Sequence, residues 1–175
     1  MKKTVLTFGL ISGAVSAGMM MATIPYINSI DLRKADVLGY TSIVLSALLV
    51  FFGVRSYREN AGGGRLTFGR GFTVGLLITL ISCACLVVTF EIVYFKVVPG
   101  LGDKYAACMV ERARASGASQ QKLDDTARQA QTLKRLYDKP LTNAALTFVE
   151  AFPIGLIAAT LSAAILRKKK AAHEN

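Results

Sequence analysis

The sequence predicts an all-α fold: a polytopic membrane protein of four transmembrane helices, with an extracytoplasmic helical insertion between the third and the fourth. Three observations carry this. Four long apolar runs occupy residues 5–27, 37–54, 72–95 and 141–166, each closed off by basic residues. Hydrophobic residues make up 53% of the chain and the mean hydropathy is +0.44, more than a soluble domain of 175 residues needs for its core. Residues 96–140 form the only sizeable polar stretch, so the chain reads as a single membrane domain over 1–175 with one insertion. About 20 mostly apolar residues cross a hydrocarbon core as a helix. No water is available there, so each segment must satisfy its own backbone hydrogen bonds.

The first span, 5–27, follows Lys2 and Lys3 and carries Gly9, Gly13 and Ala17 at four-residue intervals. Small residues at this spacing let helix backbones approach closely, either within one bundle or between two copies. Val15-Ser16-Ala17 has the look of a signal cleavage site, but the apolar run continues to Ile27, longer than a signal core, and fits an uncleaved anchor. The second span, 37–54, follows a short loop in which Arg33 and Lys34 are offset by Asp31 and Asp36. A cytoplasmic loop then begins with Arg55, Tyr57 and Arg58 and includes Gly62–Gly64. It lacks the Gly-x-x-x-x-Gly-Lys-Ser/Thr pattern of a phosphate loop and fits a compact turn whose arginines reach lipid headgroups.

Gly71 and Gly75 open the third span, 72–95, with the same small-residue spacing. The span holds Cys83 and Cys85, which with the isolated Cys108 give neither a disulfide framework nor a metal-ligand spacing. Segment 96–140 reads as two helices. Residues 103–115 lack breakers, Ser116-Gly117-Ala118-Ser119 interrupts, and Ser119 caps a second helix. Its Leu123, Ala127, Ala130, Leu133 and Tyr137 recur at spacings of three and four, one thin apolar face. Pro140 opens or precedes the fourth span, 141–166.

Charge orients the bundle. Ten basic residues (Lys2, Lys3, Arg55, Arg58, Arg65, Arg70 and Arg167 to Lys170) fall on one side of the four spans. Positive residues in short loops mark the cytoplasmic face, so both termini are expected inside. Segment 96–139 holds nine more Lys and Arg against five acidic residues, but long translocated segments follow the rule poorly. The net charge of +10 is thereby explained by anionic headgroups, with no nucleic acid partner required.

Glu91 and Glu150 are the only acidic residues inside the expected spans. An ionised carboxylate near the bilayer centre costs roughly 2.5–3.5 kcal/mol, so each must face protein or water, or stay protonated. Glu91 lies close enough to the boundary to reach water or Lys96. Pro153 cannot donate to the carbonyl of Val149, which leaves a free acceptor beside Glu150. Two readings stand: the two carboxyls are neighbours that handle a proton or cation, or each is a structural hydrogen-bonding group, with a hydroxyl such as Tyr94 as a partner. No catalytic set is legible. The single histidine, His173, is in the tail, and no metal or cofactor motif appears.

Several stretches resemble one family. Gly9-Leu10-Ile11-Ser12-Gly13-Ala14, Leu38-Gly39-Tyr40, Gly53 to Glu59, Phe68 to Phe72, Tyr137 to Leu141 and Glu150 to Leu156 resemble, in order, the bacterial family named domain of unknown function 4199. The resemblance implies a small four-helix integral membrane protein and brings no activity. It places the family's Glu-x-Phe-Pro element on Glu150, Phe152 and Pro153, and its Arg-x-Tyr-Arg element on Arg55, Tyr57 and Arg58. The expected function is that of a non-enzymatic accessory or organising component working through helix association, as a homo-oligomer or with a membrane protein partner. The alternative is a small oligomeric proton- or cation-coupled transporter using Glu150 and Glu91.

Overall fold

The computed structural model describes residues 1–27 and 32–167. Its elements are α1 (Lys2–Ile27), α2 (Leu32–Asn60), α3 (Phe68–Ile92, prolonged by a π-helical turn Val93–Val97), α4 (Leu101–Ala115), α5 (Gln120–Tyr137) and α6 (Pro140–Leu166). Among the described residues three stretches are long and apolar enough to cross a membrane: Lys2–Ala22, Phe68–Val97 and Pro140–Leu166. The second expected run, 37–54, falls in α2, whose side chains through residue 40 lie outside the described set, as do Lys168–Lys170 and His173.

Contacts between small residues fix the direction of each helix. Gly9 abuts Ile81 and Gly13 abuts Cys85, so α1 and α3 run parallel. Gly71 abuts Ala163, Gly75 abuts Ala159 and Gly155 abuts Thr79, so α3 and α6 run antiparallel and form the most extensive helix pair. Gly53 abuts Phe8, and the hydroxyls of Ser16 and Ser46 lie 3.0 Å apart, so α1 and α2 are antiparallel as well. Since α6 also packs on α2, the four long helices close a ring. Two hydroxyls bridge it: Thr79 Oγ1 donates to the carbonyl of Gly155 at 3.2 Å and Ser82 Oγ to that of Gly9 at 3.3 Å.

One consequence is that the start of α1, the end of α6 and the turn after α2 meet. Val5, Tyr57, Leu66, Val74 and Leu166 share one apolar cluster, and the neighbouring Lys2, Lys3, Arg58, Arg65 and Arg167 therefore gather at that end of the bundle. Arg55, Tyr57 and Arg58 lie on the last turns of α2 rather than in the loop expected of them, because the helix continues to Asn60 before Gly63 and Gly64, at φ +57° and +78°, turn it back. These left-handed positions cap the helix, with the Gly64 N–H donating to the carbonyl of Arg58 at 3.0 Å. At the opposite end Val93, Tyr94, Val98 and Leu101 form a second cluster with Met20, Phe90 and Tyr137.

All four glycines singled out in the sequence sit against neighbouring elements of the same chain. A Cβ added at Gly75 would stand 2.8 Å from that of Ala159, and one at Gly9 2.8 Å from that of Ile81. One at Gly13 would stand 2.6 Å from the Cβ of Cys85, and one at Gly71 3.0 Å from Cδ2 of Leu66. Gly18 has nothing within 4 Å of an added Cβ. Gly75→Val is therefore expected to destabilise the bundle by about 1–3 kcal/mol through overpacking, whereas Gly18→Ala should stay within about 0.5 kcal/mol of wild type. Thermal unfolding of the two variants in one detergent checks this; equal midpoints would overturn the seam.

Candidate functional site

The end of the bundle opposite the basic cluster is built by a hairpin. Gly100, at φ +75°, lets the chain leave α3 and enter α4, and Gly117, at φ +73°, turns α4 into α5. Ser119 caps α5 by accepting from the Lys122 N–H at 3.4 Å. Pro140 stands in the first turn of α6, where a missing N–H costs nothing. Only Asp138 and Lys139 separate α5 from α6, which forces Tyr137 to lie over the first turns of α6.

Two polar ties fasten this hairpin to the long helices. Tyr137 Oη donates to Glu150 Oε1 on α6 at 2.7 Å. Behind it the fully buried Asn143 donates through Nδ2 to the Tyr137 carbonyl at 2.9 Å and accepts from Thr147 Oγ1 at 3.4 Å. On the α3 side Tyr94 Oη donates to Asp138 Oδ1 at 2.8 Å, and Lys134 Nζ donates to Asp138 Oδ2 at 2.9 Å while lying 3.5 Å from Asp103 Oδ1. Gly102 is required here, since a Cβ would run into the Tyr94 hydroxyl. Between the ties lies a cavity of about 260 Å³ lined by Phe90, Tyr94, Tyr105, Lys134, Tyr137 and Glu150, among others. Phe90, Tyr94 and Tyr137 pack ring on ring along one wall, with centroids 5.8, 6.0 and 6.3 Å apart.

The electrostatics follow from these bonds. The Lys134 ammonium, and after it the Tyr94 hydroxyl, hold the Asp138 carboxyl below its ordinary range. Asp138 in turn raises Lys134. Burial, reinforced by the bond to Glu150, pushes the Tyr137 hydroxyl up, so it stays a proton donor throughout the physiological range. The lining offers aromatic rings, the Lys134 ammonium and the Glu150 carboxyl. Among the described residues no three His, Cys, Asp or Glu stand close enough to hold a metal ion.

Of the two glutamates that the sequence suggested as neighbours, one lines the chamber. Glu150 reaches the chamber, whereas Glu91 is rotated about 100° around α3 from Phe90 and is absent from the lining. Its Oε1 is buried with no hydrogen-bond partner among the described residues, and Lys96 is exposed. The hydroxyl that serves Glu150 is that of Tyr137, since Tyr94, the partner considered in the sequence, is committed to Asp138. α6 runs continuously through the exposed Pro153, three residues beyond Glu150. At the other end Arg55 and Arg58 pair with Glu59 at 2.9 and 3.3 Å, and Tyr57 is buried in the core cluster, remote from the chamber. Asp103, Tyr105, Lys134 and Asp138 were not singled out. Their one sequence signal is that three of the six tyrosines (Tyr94, Tyr105 and Tyr137) flank the insertion or lie in it.

Fold and site together define a class: an all-helical chain with apolar helices of membrane-spanning length and an aromatic, carboxylate-bearing chamber at one end. The chain belongs to the family described as "Protein of unknown function (DUF4199)", matched over residues 7–168. Comparison with curated proteins and with solved structures gives no match.

The Asp138 tie generates a pH prediction. Because its folded value lies below the unfolded 3.8, its stabilisation is complete above 3.8 and is lost as pH falls through the lowered value. Hydrogen-exchange protection of α4 and α5 should drop in that acid range. Asp138→Asn should show lower protection at neutral pH and no such acid limb; an acid limb that persists in the variant would assign it to another group.

Proposed function

We propose that this chain is a four-span inner-membrane protein, termini in the cytoplasm, that acts without catalysis as an accessory or organising component. Its working surface is the extracytoplasmic α4–α5 hairpin and the chamber beneath it. The carrying observation is that a hairpin of two polar helices is tied by side chain to two long apolar helices, through Tyr137–Glu150 and Tyr94–Asp138. A connector that only linked two spans would not need these ties. A platform that must keep one shape against another molecule does, since each tie removes freedom before binding rather than during it.

The alternating direction of the four long helices supports the topology, because it brings the basic ends of α1, α2, α3 and α6 to one side, as the positive-inside rule requires of a cytoplasmic face. Coupled transport through a Glu91–Glu150 pair has no comparable support, since Glu91 is absent from the chamber lining and Glu150 is bonded to Tyr137. Isolation from native membranes in mild detergent, with native mass, tests the proposal. A defined oligomer or a partner at fixed stoichiometry is expected, and Tyr137→Phe combined with Asp138→Asn should weaken that assembly about tenfold, the loss of one or two charge-assisted hydrogen bonds. A partnerless monomer by native mass would overturn it.

A further inference from the structure

We infer that the chamber under the α4–α5 hairpin is a binding site for an organic ammonium group; this rests on the chamber being the working site proposed above. Three features of the lining select that chemistry. The first is the wall of Phe90, Tyr94 and Tyr137, with Tyr105 half-exposed at the rim. Aromatic faces attract a cation placed within about 6 Å of their centroids. Both Tyr94 and Tyr137 donate their hydroxyl protons to carboxylates, at 2.8 and 2.7 Å, which pushes electron density back into the rings and strengthens that attraction.

The second feature is the charge balance. Lys134 also lines the chamber, but its ammonium is held by Asp138 at 2.9 Å and lies 3.5 Å from Asp103. Glu150 accepts its hydrogen bond from the neutral Tyr137 hydroxyl. The one cation on the lining is thus already paired by Asp138 outside it, and Glu150 is the lining's one carboxyl. Arg128 and Arg135 on α5 are exposed and are not part of the lining. An anion would face Glu150 uncompensated.

The third feature is size and donor type. At about 260 Å³ the chamber lies just below the roughly 300–1,000 Å³ of sites for drug-sized ligands, so it suits a headgroup rather than a large molecule. Calcium or magnesium needs about six or more oxygen ligands, and this lining presents rings around a single carboxylate. A methylated or primary ammonium uses both, the rings for its faces and Glu150 for its charge. Such a group reaches the site either as a free cation or as the headgroup of a lipid lying against α6.

The test is a titration of the purified full chain, without partners, in a maltoside detergent. Tetramethylammonium chloride is expected to bind saturably by calorimetry and to raise the unfolding midpoint, where sodium chloride at equal concentration does not. Glu150→Gln keeps the shape and the acceptor for Tyr137 and should weaken binding at least about tenfold; Phe90→Leu, which leaves the polar ties intact, should weaken it about threefold or more. In nanodiscs, a lowered apparent affinity when phosphatidylethanolamine replaces phosphatidylglycerol identifies the lipid headgroup as occupant, and an unchanged affinity identifies a free cation. No saturable binding, or equal binding by folded wild type, Glu150→Gln and Phe90→Leu, would overturn the inference. That result would leave the assembly measured by native mass untouched, so the two proposals fail separately.

Discussion

Where α3 meets α6, Gly71, Gly75 and Gly155 withdraw their side chains opposite Ala163, Ala159 and Thr79, and the two backbones close to a distance at which one extra carbon does not fit. In lipid no hydrophobic force pulls helices together, so this contact must be held by dispersion between closely approaching backbones and by hydroxyls such as Thr79. The pairs step by four residues along both chains, which locks the register and, with it, everything at the far end. Continued toward the hairpin, the register brings Cys83 and Ala151 to the same internal cavity. Glu150 then stands just below Phe90 and Tyr94 on the neighbouring helix. Helical side chains lean toward their own N-terminus, and these helices are antiparallel. Glu150 therefore leans up toward Tyr137 while Phe90 and Tyr94 lean down toward Glu150, and the chamber is the space they enclose.

The polar groups at that end divide into satisfied and unsatisfied ones, and the division is informative. Asn143 uses both its amide donor and its carbonyl, each buried, to hold the chain reversal between α5 and α6. Asp138 takes one hydrogen bond on each oxygen. Glu91, by contrast, has a buried oxygen with no partner among the described residues, the kind of group whose desolvation costs about 1–3 kcal/mol. The stabilising carboxylates thus lie at the hairpin ties, and the costly one lies outside the chamber. A carboxylate's being inside an apolar run says little about its role until the helix face it occupies is known.

That point marks what was legible in the sequence. Long apolar runs and turn residues gave the helices, because length, Gly63–Gly64 and Pro140 act through local backbone chemistry. Small-residue spacing pointed to Gly9, Gly13, Gly71 and Gly75, since close approach leaves a periodic trace. The end of α2 lies beyond its apolar run: Arg55, Tyr57 and Arg58 continue the helix, as charged residues at a helix end often do, and hydropathy marks where apolar character stops rather than where the helix does. The chamber was the least legible part. Tyr94, Asp103, Lys134 and Asp138 are separated by up to 44 residues along the chain and meet only because α3, α4 and α5 fold back on one another. No spacing rule in one sequence encodes that meeting, and by spacing alone Tyr137 is one more residue on an amphipathic face, with nothing local to mark that its hydroxyl reaches Glu150.

The same geometry resolves an apparent conflict in the charge. A chain of net charge +10 is an unpromising host for a cation. The described basic residues at the termini and near the α2–α3 turn lie at the end of the bundle marked by Val5, Tyr57 and Leu166, and the chamber lies at the end marked by Tyr94 and Leu101. The stretch from Phe68 to Val97 alone has 30 residues, about 45 Å at the rise of an α-helix. That exceeds the roughly 8 Å over which charges in physiological saline are felt, so in the proposed topology the two wet ends of the molecule act independently. There the basic end would engage anionic headgroups on one leaflet, while at the other end the chamber lining sets Glu150 beside a Lys134 that Asp138 already pairs. Under the two proposals, net charge bears on how the molecule sits in a bilayer, and the local lining around Glu150 on what the chamber would hold.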